Sequence, residues 1–151
     1  MNDWKNVLIT VDDTPTSDRG LEYAGHILAR LEGLRICLLH IYPEPPPDYY
    51  TKGGSLDDYR KEQAARATAL LERAEEQLAG FGISRQDMTR DIRMAEHATI
   101  SQAIMAVQEE GGFGTIVVGK RGVSKAEEFL FGSISNALVH HTSDCTVWVV
   151  G

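Results

Sequence analysis

The chain is short of cysteine, with only Cys37 and Cys145, and both lie in apolar runs. That excludes a disulfide-stapled scaffold and predicts two buried free thiols. Positive charge is also short. Against 22 Asp and Glu stand 15 Lys and Arg, a net charge of −7. Nucleic acids and anionic membranes demand broad positive surface, so neither is expected as a partner. A local basic spot for one phosphate group stays open. No apolar run approaches the roughly 20 residues that span a bilayer. Met1-Asn2-Asp3-Trp4-Lys5 has no leader pattern, which predicts a cytoplasmic location. Proline is sparse, and three of the five prolines stand together at 45–47. Most of the chain is thus free of strong breakers.

What is present reads as one soluble domain. A length of 151 residues with 42% hydrophobic content allows a full core. Apolar β-branched stretches at 7–11, 35–41 and 115–119 predict buried strands, as in a parallel sheet, and 146–150 a final strand. A more polar stretch at 88–94 predicts a strand at a sheet edge. Leu21, Ala24, Ile27, Leu28 and Leu31 recur at helical spacing, with Gly33 as the stop. A helix rich in Ala, Glu, Gln and Arg is expected over 56–79, with the stripe Ala67, Leu70, Leu71, Ala74 and Leu78 inward. Thr99-Ile-Ser-Gln102 is a capping box, Ile100, Ile104 and Val107 follow helically, and Gly111-Gly112 ends that helix. A short helix is expected over 133–141. The Pro- and Gly-rich segment 43–55 has no period and predicts a surface loop.

The order βαβαβαβαβ, with no linker and no internal repeat, predicts an α/β fold. It calls for an open five-stranded parallel sheet, order 3-2-1-4-5, with helices on both faces and right-handed crossovers. Ligands in such sheets bind beyond the carboxyl ends of the strands, where the order reverses. Strands one and four flank that point, and their ends carry Asp12 and Gly119. Gly119-x2-Gly122-x9-Gly132-Ser133 follows strand four and opens the last helix. Glycines admit close backbone approach, and a helix N-terminus offers unpaired N–H groups. The spacing describes a polyphosphate cradle. Its plainer reading is a turn followed by an N-cap.

This pattern resembles the universal stress proteins, whose nucleotide-binding members carry Gly-x2-Gly-x9-Gly-(Ser/Thr). Val11-Asp12 after strand one, His40 at the end of strand two and the closing Val147-Trp148-Val149-Val150 extend the resemblance over the whole chain. It implies a Rossmann-like sheet holding ATP or AMP across its carboxyl edge. By the resemblance Asp12 holds ribose or adenine, and Thr10 and Ile41 line the base pocket. Val118 and Gly119 lead into the phosphate loop, and Arg121 and Gly122 face the phosphates. Gly132, Ser133, Ile134 and Ser135 supply donors at the helix start. Asp13 stands where members often have Gly, and beside phosphates it would act through Mg²⁺. Lys120 stands where they often have Ser or Thr. The resemblance further implies a homodimer joined through terminal strands.

Other motifs are weaker. Gly114 to Lys120 imitates the start of a P-loop, but Arg121 stands where Ser or Thr must meet Mg²⁺. Asp12-Asp13 resembles an acidic Mg²⁺ pair, yet Ala95-Glu96-His97 supplies no third Asp. Lys120, Arg121 and Lys125 are either a phosphate contact or a solvated mixed-charge loop with Glu127 and Glu128. His140-His141 suits a helix C-terminus better than a metal. The expected function is therefore a nucleotide-binding stress regulator without fast catalysis. The alternatives are a slow ATPase or phosphotransferase using Asp13 or Ser133, and a nucleotide-independent interaction module.

Overall fold

A computed structural model describes residues 2–120 and 133–151. Five parallel strands form one sheet: β1 (Asn6–Thr10), β2 (Arg35–Pro43), β3 (Met88–Ala95), β4 (Thr115–Gly119) and β5 (Thr146–Val150). Their order is β3-β2-β1-β4-β5, as the alternation of elements predicts. The reversal falls between β1, which pairs with β2 from Asn6↔Arg35, and β4, which pairs with β1 at Val7↔Thr115.

The helices are α1 (Pro15–Leu28), α2 (Pro47–Thr51), α3 (Leu56–Gly80), α4 (Ile100–Gly111) and α5 (Ser133–His141). Strand alternation splits the core in two. Val7, Ile9, Ile36, Leu38 and Val117 meet Leu21, Ala24 and Leu28 of α1 and Leu71, Ala74 and Leu78 of α3. Leu8, Leu39, Ile41, Ile116 and Val118 meet Ile104 and Val107 of α4 and Leu138 of α5. Both faces of the central strands are buried, which is why those strands read as unbroken apolar runs.

Helices α1, α3 and α4 begin on hydrogen-bonded caps. Thr14 accepts from the Ser17 N–H with Pro15 following, Ser55 accepts from Asp58, and Thr99 with Gln102 forms the expected capping box. Gly112 closes α4 at φ 62°, a conformation that favours glycine. Two expectations change. The 43–55 segment contains α2, started by Pro47 after an extended Pro46. Its Tyr49 packs edge-on against Tyr59, with ring centroids 5.3 Å apart. Helix α1 ends at Leu28, and Gly33, at φ 74°, serves the turn into β2 instead. Strand β3 lies at an edge, as its polarity predicts. Arg90 pairs there with the almost buried Glu75 of α3, and Arg93 reaches Glu110 of α4 at 2.8 Å.

Candidate functional site

The carboxyl ends of β1 and β4 open on one narrow pocket, with about 40 Å³ of room for water-sized molecules. Thr10, Val11 and Asp12 come from the end of β1, Leu39 and Ile41 from β2, and Val118 and Gly119 from β4. Ile100 and Ile104 of α4, Ile134 of α5 and Ser17 of α1 complete it. The interior is aliphatic, with three polar side chains placed on one side of it.

Those polar groups are held before any ligand arrives. The Thr10 hydroxyl donates to the Val117 carbonyl at 3.2 Å. The Asp12 Oδ1 accepts from the Thr14 N–H at 2.8 Å and from the Thr14 hydroxyl. The Ser17 hydroxyl oxygen accepts from the Asp12 N–H at 3.0 Å. Asp12 is therefore fixed by the same turn that starts α1, and among the described residues its Oδ2 accepts no hydrogen bond. His40 Nδ1 lies 2.7 Å from the Val11 carbonyl. A carbonyl only accepts, so this nitrogen carries a proton. The Thr14 hydroxyl also accepts from the Ser17 N–H to cap α1. The arrangement is a fixed, one-sided set of hydrogen-bonding groups around an apolar slot.

Gly119 has a packing reason to be glycine. A Cβ there would lie 2.7 Å from the carbonyl of Thr16 and 2.8 Å from the Ser17 nitrogen. The start of α1 sits directly on the end of β4. The Lys120 N–H that follows donates to the Val150 carbonyl at 2.7 Å, the last rung between β4 and β5.

Of the site residues expected from sequence, the fold gathers Thr10, Asp12, Ile41, Val118, Gly119 and Ile134 around this pocket. Ser133 opens α5. Ser135 is buried on α5 and is not among the pocket-lining residues. Arg121, Gly122 and Gly132 lie outside the described residues. Asp13 faces away from β4, into grooves shared with Arg73 of α3. Among the described residues no group of three or more His, Cys, Asp or Glu is placed to hold a metal ion. Sequence reasoning missed Ser17, Leu39, Ile100 and Ile104 as wall residues. Ile100 and Ile104 were visible only as a buried helical stripe, which looks the same whether it faces core or cavity. Ser17 carried a signal, as a polar residue in the first turn after Asp12, but that signal also describes ordinary capping.

Comparison with known proteins supports the architecture. The chain is 27% identical over 154 residues to the universal stress protein YxiE of Bacillus subtilis (strain 168), covering 97% of this chain and 99% of that one. A universal stress protein solved in complex with cAMP superposes with a TM-score of 0.72 at 19% identity, over 97% of this chain and 96% of the other. The universal stress protein from Archaeoglobus fulgidus, in complex with dAMP, gives 0.67 at 18% identity, over 97% of each chain. The sequence profile of the Universal stress protein family matches residues 3–151, and the chain belongs to that family.

Proposed function

We propose that this chain is a regulatory protein that binds an adenine nucleotide, ATP or AMP, and has no fast chemistry of its own. One observation carries the reading. Asp12 and Gly119, about a hundred residues apart in sequence, line a single apolar pocket at the point where the strand order reverses. Ile41, Ile100 and Ile104 make a slot suited to a flat base. Asp12 Oδ2 is a fixed acceptor for a ribose hydroxyl. The 5′ tail then runs over Gly119 toward the start of α5, where Arg121, Gly122, Gly132 and Ser133 are proposed to receive phosphate, with Mg²⁺ as an accompanying ion for ATP. The cAMP and dAMP complexes of two structural relatives support an adenosine monophosphate core as the ligand. A cytoplasmic setting and a homodimer joined through β5 belong to the same proposal.

The test is direct. Protein purified without added ligand is denatured and the released small molecules are identified, and AMP and ATP–Mg are titrated calorimetrically. Wild type binds at least one of them, and Asp12→Asn weakens binding about tenfold, the loss of one charge-assisted hydrogen bond. No released nucleotide and no heat of binding with either would remove this reading in favour of a nucleotide-independent interaction module.

A further inference from the structure

Beside the pocket, the carboxyl edge of the sheet continues into a groove walled by α3. The two share Asp12, Ile41 and Ile100. On its α3 side the groove is lined by Gln63, Arg66, Leu70 and Arg73, spaced three, four and three residues apart, which places them on one helix face. Among the described residues Arg19, Arg35, Arg60, Arg85, Arg90 and Arg93 hold carboxylates or a carbonyl, while Arg30 does not. Arg66 and Arg73 make no such contact among the described residues, although Asp12 and Asp13 line the same groove. Two guanidinium forks, seven residues and so about 10 Å apart along the helix, thus face a cleft that opens from the pocket. Each fork matches a phosphate bidentately.

Ribose has three arms: the base, the 5′ carbon, and the edge bearing the 2′ and 3′ oxygens. On the functional reading above, on which this step rests, the base fills the apolar slot and the 5′ arm runs to Gly119. Asp12 stands between pocket and groove, so the remaining edge is directed at α3. We infer that the Arg66–Arg73 groove is a second anion subsite, and that the preferred ligand carries a phosphoryl group on its 2′ or 3′ oxygen as well as at the 5′ end. The carboxylates of Asp12 and Asp13 oppose such a group, and the two arginines offset them charge for charge. Half of Asp12's acceptor capacity is already taken by Thr14. The remaining Asp12 oxygen accepts from whichever ribose hydroxyl is unmodified.

Calorimetric titration of wild type and of Arg66→Gln/Arg73→Gln with AMP, adenosine 2′,5′-bisphosphate and adenosine 3′,5′-bisphosphate tests this. Both arginines are exposed, and circular dichroism confirms that the variant is folded. One bisphosphate should bind wild type about tenfold more tightly than AMP, with a steeper salt dependence. The variant should lose that advantage and keep its affinity for AMP. Bisphosphates no tighter than AMP, or an advantage that survives in the variant, would overturn the second subsite and leave the mononucleotide reading standing. Failure of all three ligands, and of ATP–Mg, to bind wild type would overturn both.

Discussion

Gly119 shows how one absent methyl group positions a site. With a Cβ only 2.7 Å from Thr16 backbone atoms, Gly119→Ala must push the start of α1 off the end of β4. That is overpacking against backbone, which costs about 1–3 kcal/mol. Because Thr14 and Ser17 of that same turn hold Asp12, nucleotide affinity should fall along with the urea midpoint. Asp12→Asn should separate the two effects. An amide oxygen can still accept from Thr14, so stability holds while binding weakens. Cys37 gives a pH-dependent prediction. Burial pushes its thiol up from the ordinary range. The folded state therefore keeps a proton that the unfolded chain releases first. The resulting stability is complete below the unfolded thiol pKa and is lost as pH climbs through the folded value. Urea midpoints of wild type and Cys37→Ala should accordingly converge between neutral and strongly alkaline pH. Native Cys37 should react more slowly with thiol reagents than the less buried Cys145.

At the scale of elements, α4 ties capping to the pocket. Thr99 accepts from the Gln102 N–H at 3.1 Å, and Gln102 Oε1 accepts from the Thr99 N–H at 2.9 Å. Thr99→Ala breaks this exchange and should cost about 1 kcal/mol. It also loosens Ile100 in the pocket wall, so thermal unfolding and nucleotide titration should both report the change. Edge strand β3 is fastened by Glu75, which receives Arg90 and lies 3.6 Å from Arg85. Glu75→Ala removes both contacts and leaves Arg90 with Glu72 alone, at 3.7 Å, a loss of about 1 kcal/mol because both arginines remain partly solvated. Hydrogen exchange should quicken in 88–95 before it does in β1. These elements differ in how legible they were. The strands and α4 announce themselves because local preference and burial agree, as in 115–119 and in the Thr99–Gln102 box. Helix α2 does not, because five residues hold no period and its order comes from Tyr49 packing on Tyr59, a contact set by the fold. The site divides the same way. Asp12 and Gly119 stand out at strand ends, whereas Leu39, Ile100 and Ile104 are apolar residues whose neighbour, cavity or core, only the packed structure decides.

The whole molecule places its two sheet edges under different protection. Strand β3 carries Arg90, Asp91 and Arg93 in ion pairs with helices or with one another, a charged edge that discourages pairing with another chain. Strand β5 reads Thr-Val-Trp-Val-Val, with Val149 41% exposed. Tyr23 of α1, itself 51% exposed, stands edge-on to Trp148 at 6.1 Å. Tyr23, Ile27, Trp148 and Val149 line a shallow hollow beside that edge. Among the described residues, this apolar, uncharged edge strand beside exposed aromatic surface is a liability that a second copy would cover, which supports the proposed dimer. Val149→Glu puts like charges opposite one another wherever two β5 strands meet, and it removes apolar area from the contact. Light scattering behind size exclusion should give a dimer mass for wild type and a monomer mass for Val149→Glu. The pocket at the carboxyl ends of β1 and β4 is lined without Val149, so the monomeric variant should keep nucleotide binding. A wild-type monomer at high concentration would refute the edge contact. Loss of binding on dissociation would show instead that the partner copy completes the site.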